Sequence, residues 1–286
     1  MPTFQNYATV SYLGQTAVSN LVTGEITASL RMTKTAAADT YEQGGRITYA
    51  VSILNSGGSE LSGLTLSDDL GAYPFGEQTL TPLDYVAGSA QLYMSGELQS
   101  APTVAAGPPL RITGLSVPAN GNAIVLYTAE ANVYAPLLAD SKIKNTATLT
   151  GAGITGSLTA TDSISPEYAV KLGITKSAHP TTVTENGVLT YTFEIVNLGG
   201  LPAEAGDNVS VSDTFDPILQ GITVTLNGQS LNNTQYTYDA VSGAFSTVPG
   251  IVTVPAASFA QDPVSGIWTR SAGETTLTVS GRVQSE

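Results

Sequence analysis

The sequence predicts an all-β protein made of two tandem immunoglobulin-like β-sandwiches, preceded by an N-terminal strand segment. The first observation is that apolar and polar residues alternate, as in residues 47–53, 123–129 and 189–195. This period of two is typical of half-buried strands. The second is that Gly, Pro, Asn and Ser, the usual turn residues, cluster between these stretches. The third is an internal repeat.

The repeat defines the predicted domains. Residues 47–58, ITYAVSILNSGG, match residues 189–200, LTYTFEIVNLGG. Three further pairs of segments match in the same order: MTKT (32–35) with ITKS (174–177), LTLSDDL (64–70) with VSVSDTF (209–215), and LSVPA (115–119) with VTVPA (252–256). We therefore expect an N-terminal strand segment at 1–24, repeat 1 at 25–165 and repeat 2 at 166–286.

Composition excludes several classes of function. The net charge of −13 disfavours binding to nucleic acid or anionic lipid, and no run reaches the ~20 apolar residues of a membrane span. The chain has no cysteine and a single histidine, His179, directly before a proline. Thiol chemistry, cysteine-bound zinc and a histidine-based catalytic triad are therefore not expected. We predict no enzyme activity, no cofactor and no metal site.

The repeated motif resembles a known family. Both repeats contain T-Y-x-apolar-x-apolar-apolar-N-x-G-G, followed by apolar-x-apolar-S-D-x-apolar. This pattern is similar to the conserved-repeat surface proteins of Gram-positive bacteria and archaea called domain of unknown function eleven. The resemblance covers nearly the whole chain. It implies an immunoglobulin-like sandwich at a cell surface and no catalytic activity.

The two repeats differ at their C-terminal ends. Repeat 1 continues from residues 125–131 to a last strand, KNTATLT (144–150). In repeat 2 the counterpart of residues 125–131 is 277–283, close to the end of the printed sequence. A segment similar to 144–150 occurs instead at the start of the chain, as QNYATVS (5–11). The pattern predicts that repeat 2 lacks its last strand and that the chain begins with a spare one.

A sandwich without its last strand has an unpaired edge that favours strand addition. The linking tract 20–27 spans at most ~26–29 Å, which favours a neighbouring molecule as the acceptor. Such a head-to-tail contact propagates into a fibre. The predicted donor positions are Asn6, Ala8, Val10 and Tyr12, and the predicted acceptor edge is lined by Leu277, Val279 and Val283.

Two alternatives remain open for this segment. Residues 1–24 could form a hairpin on repeat 1, with Gly14 at the turn. A native strand could also follow the printed C-terminus. A monomeric surface stalk or adhesin, binding a host or matrix ligand through loops at the sandwich ends, is the alternative function.

Strand parity places polar residues on the inward faces of both repeats. The residues are Lys34, Asp68 and Asn145 in repeat 1, and Lys176, Asp213 and a donated Asn6 in repeat 2. Because unpaired buried charges are costly, we expect these groups to meet. The set resembles the self-forming isopeptide sites of Gram-positive pilins and adhesins, in which a neutral Lys amine attacks an Asn carbonyl and ammonia leaves. The alternatives are a buried ion pair with Asn as its hydrogen-bond partner, or a position at strand ends in water.

Together these observations predict a structural subunit of an extracellular surface fibre whose partners are other copies of itself. The N-terminus, MPTF, has neither the basic nor the apolar stretch of a secretion signal. A protein of the spore surface would need none, since lysis of the mother cell releases it. We therefore expect a location on the cell surface or on a spore appendage.

Overall fold

The structure is a computed structural model that describes residues 3–25, 30–154 and 156–284. It is all-β, as predicted, and the one helical element in these ranges is a short 3-10 turn, Ala205–Asp207. The chain forms two compact units. Unit 1 comprises Met1–Ala135 and Lys142–Ile164, and unit 2 comprises Pro136–Ser141 and Ser165–Glu286. The N-terminal segment is grouped with unit 1.

Residues 3–25 form an antiparallel hairpin whose two arms each consist of two short strands, and we call it the N-terminal hairpin. Its strands are β1 (Thr3–Asn6), β2 (Thr9–Tyr12), β3 (Gln15–Val18) and β4 (Val22–Glu25). β1 pairs with β4 and β2 with β3, both antiparallel. Leu13 and Gly14 turn the chain with φ of 47° and 80°, and two successive positive φ values are typical of a type I′ turn. The hairpin and its turn at Gly14 agree with the hairpin alternative, but among the described residues the four strands pair only with one another and not with a strand of repeat 1.

Unit 1 is a sandwich of two six-stranded sheets. Its strands are β5 (Leu30–Ala36), β6 (Thr40–Tyr41), β7 (Arg46–Asn55), β8 (Leu61–Asp68), β9 (Tyr73–Phe75), β10 (Gln78–Leu80), β11 (Leu83–Tyr85), β12 (Gln91–Met94), β13 (Glu97–Leu98), β14 (Thr103–Ala105), β15 (Leu110–Val117), β16 (Gly121–Ala131), β17 (Ile143–Thr150) and β18 (Leu158–Pro166). One sheet runs β13-β12-β16-β7-β5, with β11 also on β16, and the other runs β14-β15-β8-β17-β18-β6; β9 and β10 pair separately as a two-stranded ladder. Alternate residues of both sheets, such as Tyr49 and Leu66, form one buried core.

Unit 2 repeats this plan with fewer strands in its second sheet. Its strands are β19 (Leu172–His179), β20 (Val188–Asn197), β21 (Ser212–Thr214), β22 (Leu219–Leu226), β23 (Gln229–Ser230), β24 (Tyr236–Tyr238), β25 (Ala244–Thr247), β26 (Ser258–Gln261), β27 (Trp268–Ser271) and β28 (Gly273–Val283). The first sheet runs β19-β20-β28-β22-β23 and the second runs β21-β25-β24, while β26 and β27 pair separately. Phe215 stacks on Tyr191 in its core, with ring centroids 5.0 Å apart.

The repeated N-x-G-G motif fixes the turn after the central strand of each unit. In unit 2 the buried Asn197 donates from Nδ2 to the Leu201 carbonyl (2.8 Å) and accepts at Oδ1 from the Gly199 amide (2.9 Å). Asn55 makes the equivalent two bonds in unit 1. The amide side chain thus satisfies buried backbone groups where the chain leaves the sheet. The motif is explained by turn geometry rather than by binding.

Candidate functional site

The three polar residues singled out in repeat 1 come from three strands on both sheets. Lys34 lies on β5 of one sheet, whereas Asp68 on β8 and Asn145 on β17 belong to the other. Each strand alternates buried and exposed positions, and these residues occupy buried ones. All three are almost completely buried. The two sheets therefore bring a cation, a carboxylate and an amide together in the core of unit 1.

A fourth residue, Tyr127 on β16, connects these groups. Lys34 Nζ forms an ion pair with Asp68 Oδ2, and the Tyr127 hydroxyl donates to the same oxygen at 2.6 Å. Asn145 Nδ2 donates to the Tyr127 hydroxyl at 3.3 Å. The Leu70 amide donates to the other carboxylate oxygen of Asp68 at 3.0 Å. These five residues form a continuous hydrogen-bonded group, which we call the unit 1 cluster.

The carbonyl oxygen of Asn145 is the exception in this network. Asn145 Oδ1 is buried and has no hydrogen-bond partner in the structure. Leaving a buried acceptor unpaired typically costs about 1–3 kcal/mol, and such a group calls for an explanation. An amide whose oxygen lacks a partner beside a buried amine and a carboxylate has the composition required for amide exchange.

Burial sets the electrostatics of the cluster. Desolvation lowers the pKa of Lys34 below its ordinary value, although Asp68 acts in the opposite direction. Nζ lies 4.8 Å from the ring centroid of Tyr49 and 5.8 Å from that of Tyr127, and these two rings stack at 5.5 Å. Burial raises the pKa of both phenols, so both stay protonated at neutral pH. The aromatic rings stabilise the charged amine, while desolvation favours the neutral, nucleophilic amine.

Sequence reasoning did not identify Tyr127. It occupies an ordinary inward position on an alternating strand, opposite Tyr49. Its counterpart in unit 2 is Val279, which lies opposite Tyr191, the counterpart of Tyr49. Because the repeat does not preserve the hydroxyl, the repeat comparison gave no signal for it.

Unit 2 has an exposed and incomplete version of the cluster. Lys176 Nζ pairs with Asp213 Oδ2, and the side chains are 40% and 19% exposed, against 0% and 2% for Lys34 and Asp68. Nζ lies 4.3 Å from the Tyr191 ring centroid. Asn6, the predicted third member, lies in the N-terminal hairpin opposite Val22. Within the chain, then, the structure unites the Lys and the Asp of this set but assigns the Asn to the hairpin.

The predicted acceptor edge at Leu277, Val279 and Val283 is wrong. These residues are buried on β28, and β28 pairs with β20 on one side and β22 on the other. The reason lies in unit 1, where the last strand, β17, pairs with β8 in the opposite sheet and not with β16, the counterpart of β28. A strand equivalent to β17 would therefore pair in the other sheet of unit 2 and not beside β28.

The unpaired edge lies on β21 instead. In the described part of unit 2, β21 pairs with β25 alone, whereas its counterpart β8 lies between β15 and β17. The facing strand β19 is exposed as well: Ile174 is 56% exposed, but its counterpart Met32 is 9% exposed. We call β21 and this strip of β19 the open edge of unit 2. It is the place that β17 and β18 cover in unit 1.

The N-terminal hairpin carries apolar side chains with no core beneath them. Those exposed are Phe4, Tyr7, Val10, Tyr12, Leu13, Val18, Leu21 and Val22. A two-stranded hairpin is marginally stable by itself in water, and clustered apolar side chains at a surface mark interaction sites. The N-terminal hairpin therefore has the properties of a pair of strands that would be stabilised by joining a larger sheet.

Comparison with known proteins gives structural neighbours only. No family model matches the chain, and no curated protein matches it, so the motif resemblance stays a prediction. Among solved structures, BcpA, the major pilin subunit of Bacillus cereus, is 11% identical with a TM-score of 0.36, over 94% of this chain and 73% of that one. A C-terminal fragment of the major pilin GBS80 of Streptococcus agalactiae is 12% identical with a TM-score of 0.36, over 86% and 91%. The collagen-binding domain of a Staphylococcus aureus adhesin is 10% identical with a TM-score of 0.32, over 49% and 99%.

None of the described residues belongs to a helix long and apolar enough to cross a membrane. Nor do three His, Asp or Glu side chains in the described ranges lie close enough together to hold a metal ion.

Proposed function

We propose that this protein is a structural subunit of an extracellular fibre, on a cell surface or a spore appendage. Subunits join head to tail, because the N-terminal hairpin of one molecule adds to unit 2 of the next. The observation that supports this is the difference between two homologous units. Unit 1 is closed by β17 and β18, unit 2 is open at the same place, and the sequence that resembles β17 lies in an exposed hairpin at the other end of the chain.

Chain polarity makes this assembly propagate. The donor and the acceptor are different surfaces, so the contact is heterologous and leaves one of each free on every dimer. Main-chain hydrogen bonds along an edge strand provide the affinity, and the side chains that enter the core provide the specificity.

We also propose that Lys34 and Asn145 form an isopeptide bond in unit 1. The neutral Lys34 amine attacks the side-chain carbonyl carbon of Asn145, a new C–N bond forms, and the bond to the Asn145 amide nitrogen breaks. The Asp68 carboxyl carries a proton from the attacking amine to the leaving nitrogen, which departs as ammonia. Burial, which lowers the pKa of Lys34, supports this step. In the fibre, Lys176, Asp213 and the donated Asn6 would form the equivalent bond between subunits.

Assembly is tested on the full chain by size-exclusion chromatography and negative-stain microscopy. The full chain should form filaments or a ladder of oligomers, and a variant without residues 1–24 should stay monomeric. A matched control replaces an exposed apolar residue outside the hairpin, Val241→Ser, and should assemble normally. Filaments from the truncated variant would refute the proposal, and a monomeric full chain would favour the stalk or adhesin alternative.

The covalent step is tested by intact mass under denaturing conditions. The monomer should be lighter than its sequence by one ammonia, and Lys34→Ala or Asn145→Ala should abolish this deficit. Fragmentation of a digest should recover a branched peptide joining the segments around the two residues. A full-length mass with no deficit would leave the cluster as a buried ion pair.

A further inference from the structure

The open edge of unit 2 determines which strand of a partner can pair with it and in which register. This inference rests on the fibre proposed above. We propose that the N-terminal hairpin of a second copy docks there as a preformed two-stranded unit, and that β2 pairs antiparallel with β21 in a single register. In this register Ala8 lies opposite Asp213, Thr9 opposite Ser212 and Val10 opposite Val211.

Unit 1 supplies the register. There β17 pairs with β8 so that Ala147 lies opposite Asp68 and Leu149 opposite Leu66. The N-x-A-T motif aligns Asn6 with Asn145, Ala8 with Ala147 and Val10 with Leu149. The S-D motif aligns Asp213 with Asp68 and Val211 with Leu66. Both alignments are read from the same chain, and together they fix which residues face each other.

In this register, the hairpin side chains that face the core of unit 2 are the counterparts of those that face the core of unit 1. Asn145, Ala147 and Leu149 point into the core of unit 1 and are buried. Their counterparts Asn6, Ala8 and Val10 would then point towards the core of unit 2, and Phe4 would take the place of Ile143. Asn6 enters on the side of the Lys176–Asp213 pair, as Asn145 does beside Lys34 and Asp68.

The width of the opening favours a hairpin over a single strand. In unit 1 the sheet continues from β8 through β17 and β18 to β6. In the described part of unit 2 the counterpart of β6, residues 182–183, forms no strand, and no strand pairs with the other side of β21. Two strands are therefore needed to extend β21 to the same width, and the N-terminal hairpin already pairs β2 with β3.

Charge favours this occupant. Between residues 3 and 24 the hairpin contains no Asp, Glu, Lys or Arg, although the chain carries a net charge of −13. A neutral hairpin approaches an acidic neighbour without like-charge repulsion. It also adds no unpaired charge next to Lys176 and Asp213.

Engineered cysteines measure the register, since the chain contains none of its own. One chain carries Thr9→Cys and another carries Ser212→Cys, and both positions are exposed in the free chain, as is the control position Thr214. When the two are mixed and oxidised, a disulfide-linked heterodimer should form, because directly paired residues lie within the Cα separation of about 4.4–6.8 Å that a disulfide needs. The matched control pairs Thr9→Cys with Thr214→Cys, two residues out of register, and should give little heterodimer.

A second variant tests the hairpin itself. Ser11 and Thr16 lie opposite each other on β2 and β3, with side-chain oxygens 3.4 Å apart. A disulfide between Ser11→Cys and Thr16→Cys staples the hairpin closed. The stapled chain should assemble as well as the same chain after reduction. Assembly only after reduction would show that the strands must separate first, and would overturn the preformed unit.

The outcomes separate this inference from the proposed function. Filaments that form while the Thr9–Ser212 heterodimer does not, or while the Thr9–Thr214 control links equally well, refute the register and leave the fibre intact. If neither filaments nor the heterodimer form, both the register and the fibre are refuted. Selective linkage at Thr9–Ser212, with assembly of the stapled chain, supports the inference.

Discussion

Removing Asp68 is the sharpest perturbation of the unit 1 cluster. Asp68→Ala deletes the partner of Lys34, an acceptor of the Tyr127 hydroxyl and an acceptor of the Leu70 amide. The matched variant is Asp213→Ala in unit 2, which removes the corresponding partner of an exposed lysine. The two variants thus remove the same kind of ion-pair partner from a buried lysine and from an exposed one.

The magnitude follows from burial. Removing one member of a buried ion pair typically costs about 3–5 kcal/mol. Loss of the Lys34 proton sets an upper limit, since neutralising a lysine of ordinary pKa 10.5 at neutral pH costs about 5 kcal/mol. Measured in an Asn145→Ala background, where no isopeptide bond can form and Lys34 keeps its amine, Asp68→Ala should cost unit 1 about 3–5 kcal/mol. Because Lys176 is 40% exposed, the loss in Asp213→Ala should be about 0–1 kcal/mol.

Hydrogen exchange read by mass spectrometry measures each unit separately. Amides of β7 report on unit 1 and those of β20 on unit 2, and their protection factors convert to free energies of opening. The intact mass of Asp68→Ala should also show no ammonia deficit, because the proton carrier is gone. Equal losses in the two variants, or a loss in unit 1 below about 1 kcal/mol, would refute the argument that burial makes the pair in unit 1 costly to break.

Three further outcomes are expected. Asn197→Ala should destabilise unit 2 by about 2–4 kcal/mol in urea titration, since four backbone groups lose a hydrogen-bond partner. Above pH 10 stability should fall as pH rises, because burial raises the pKa of Tyr127 and the unfolded phenol loses its proton first; Tyr127→Phe should lower this slope by about 1.4 kcal/mol per pH unit in alkaline urea melts. Gly199→Ala should cost about 1–3 kcal/mol by thermal melting, because its Cβ would collide with the Ala169 carbonyl oxygen, whereas Gly58→Ala, with open space, should be neutral.

Alternation along the strands predicted the fold class because it reports directly on which side chains face a core. The same parity placed Lys34 and Asp68 inward, since a residue's face depends only on its position in its own strand. Offsets between the repeats then extended the inference to unit 2. Alternation, the face of each residue and the offset between repeats can all be read directly from one sequence.

Neighbour relations between strands were not predicted in the same way. The edge assigned to Val279 was wrong because β16 and β17 are consecutive in sequence yet belong to opposite sheets, and parity does not say which sheet a strand joins. Tyr127 was overlooked for a related reason. Its hydroxyl matters only because β16 brings it to Asp68 on the facing sheet.

The tip of the N-terminal hairpin has a practical consequence. Leu13 is 99% exposed and sits with Gly14 in the turn beyond the paired residues of β2 and β3. An epitope or a dye site grafted between these two residues would lie outside the strands that pair, so it would be tolerated as loop tips generally are. In a polymer of this chain such a graft would recur once per molecule, and the spacing of gold particles bound to it would give the axial repeat.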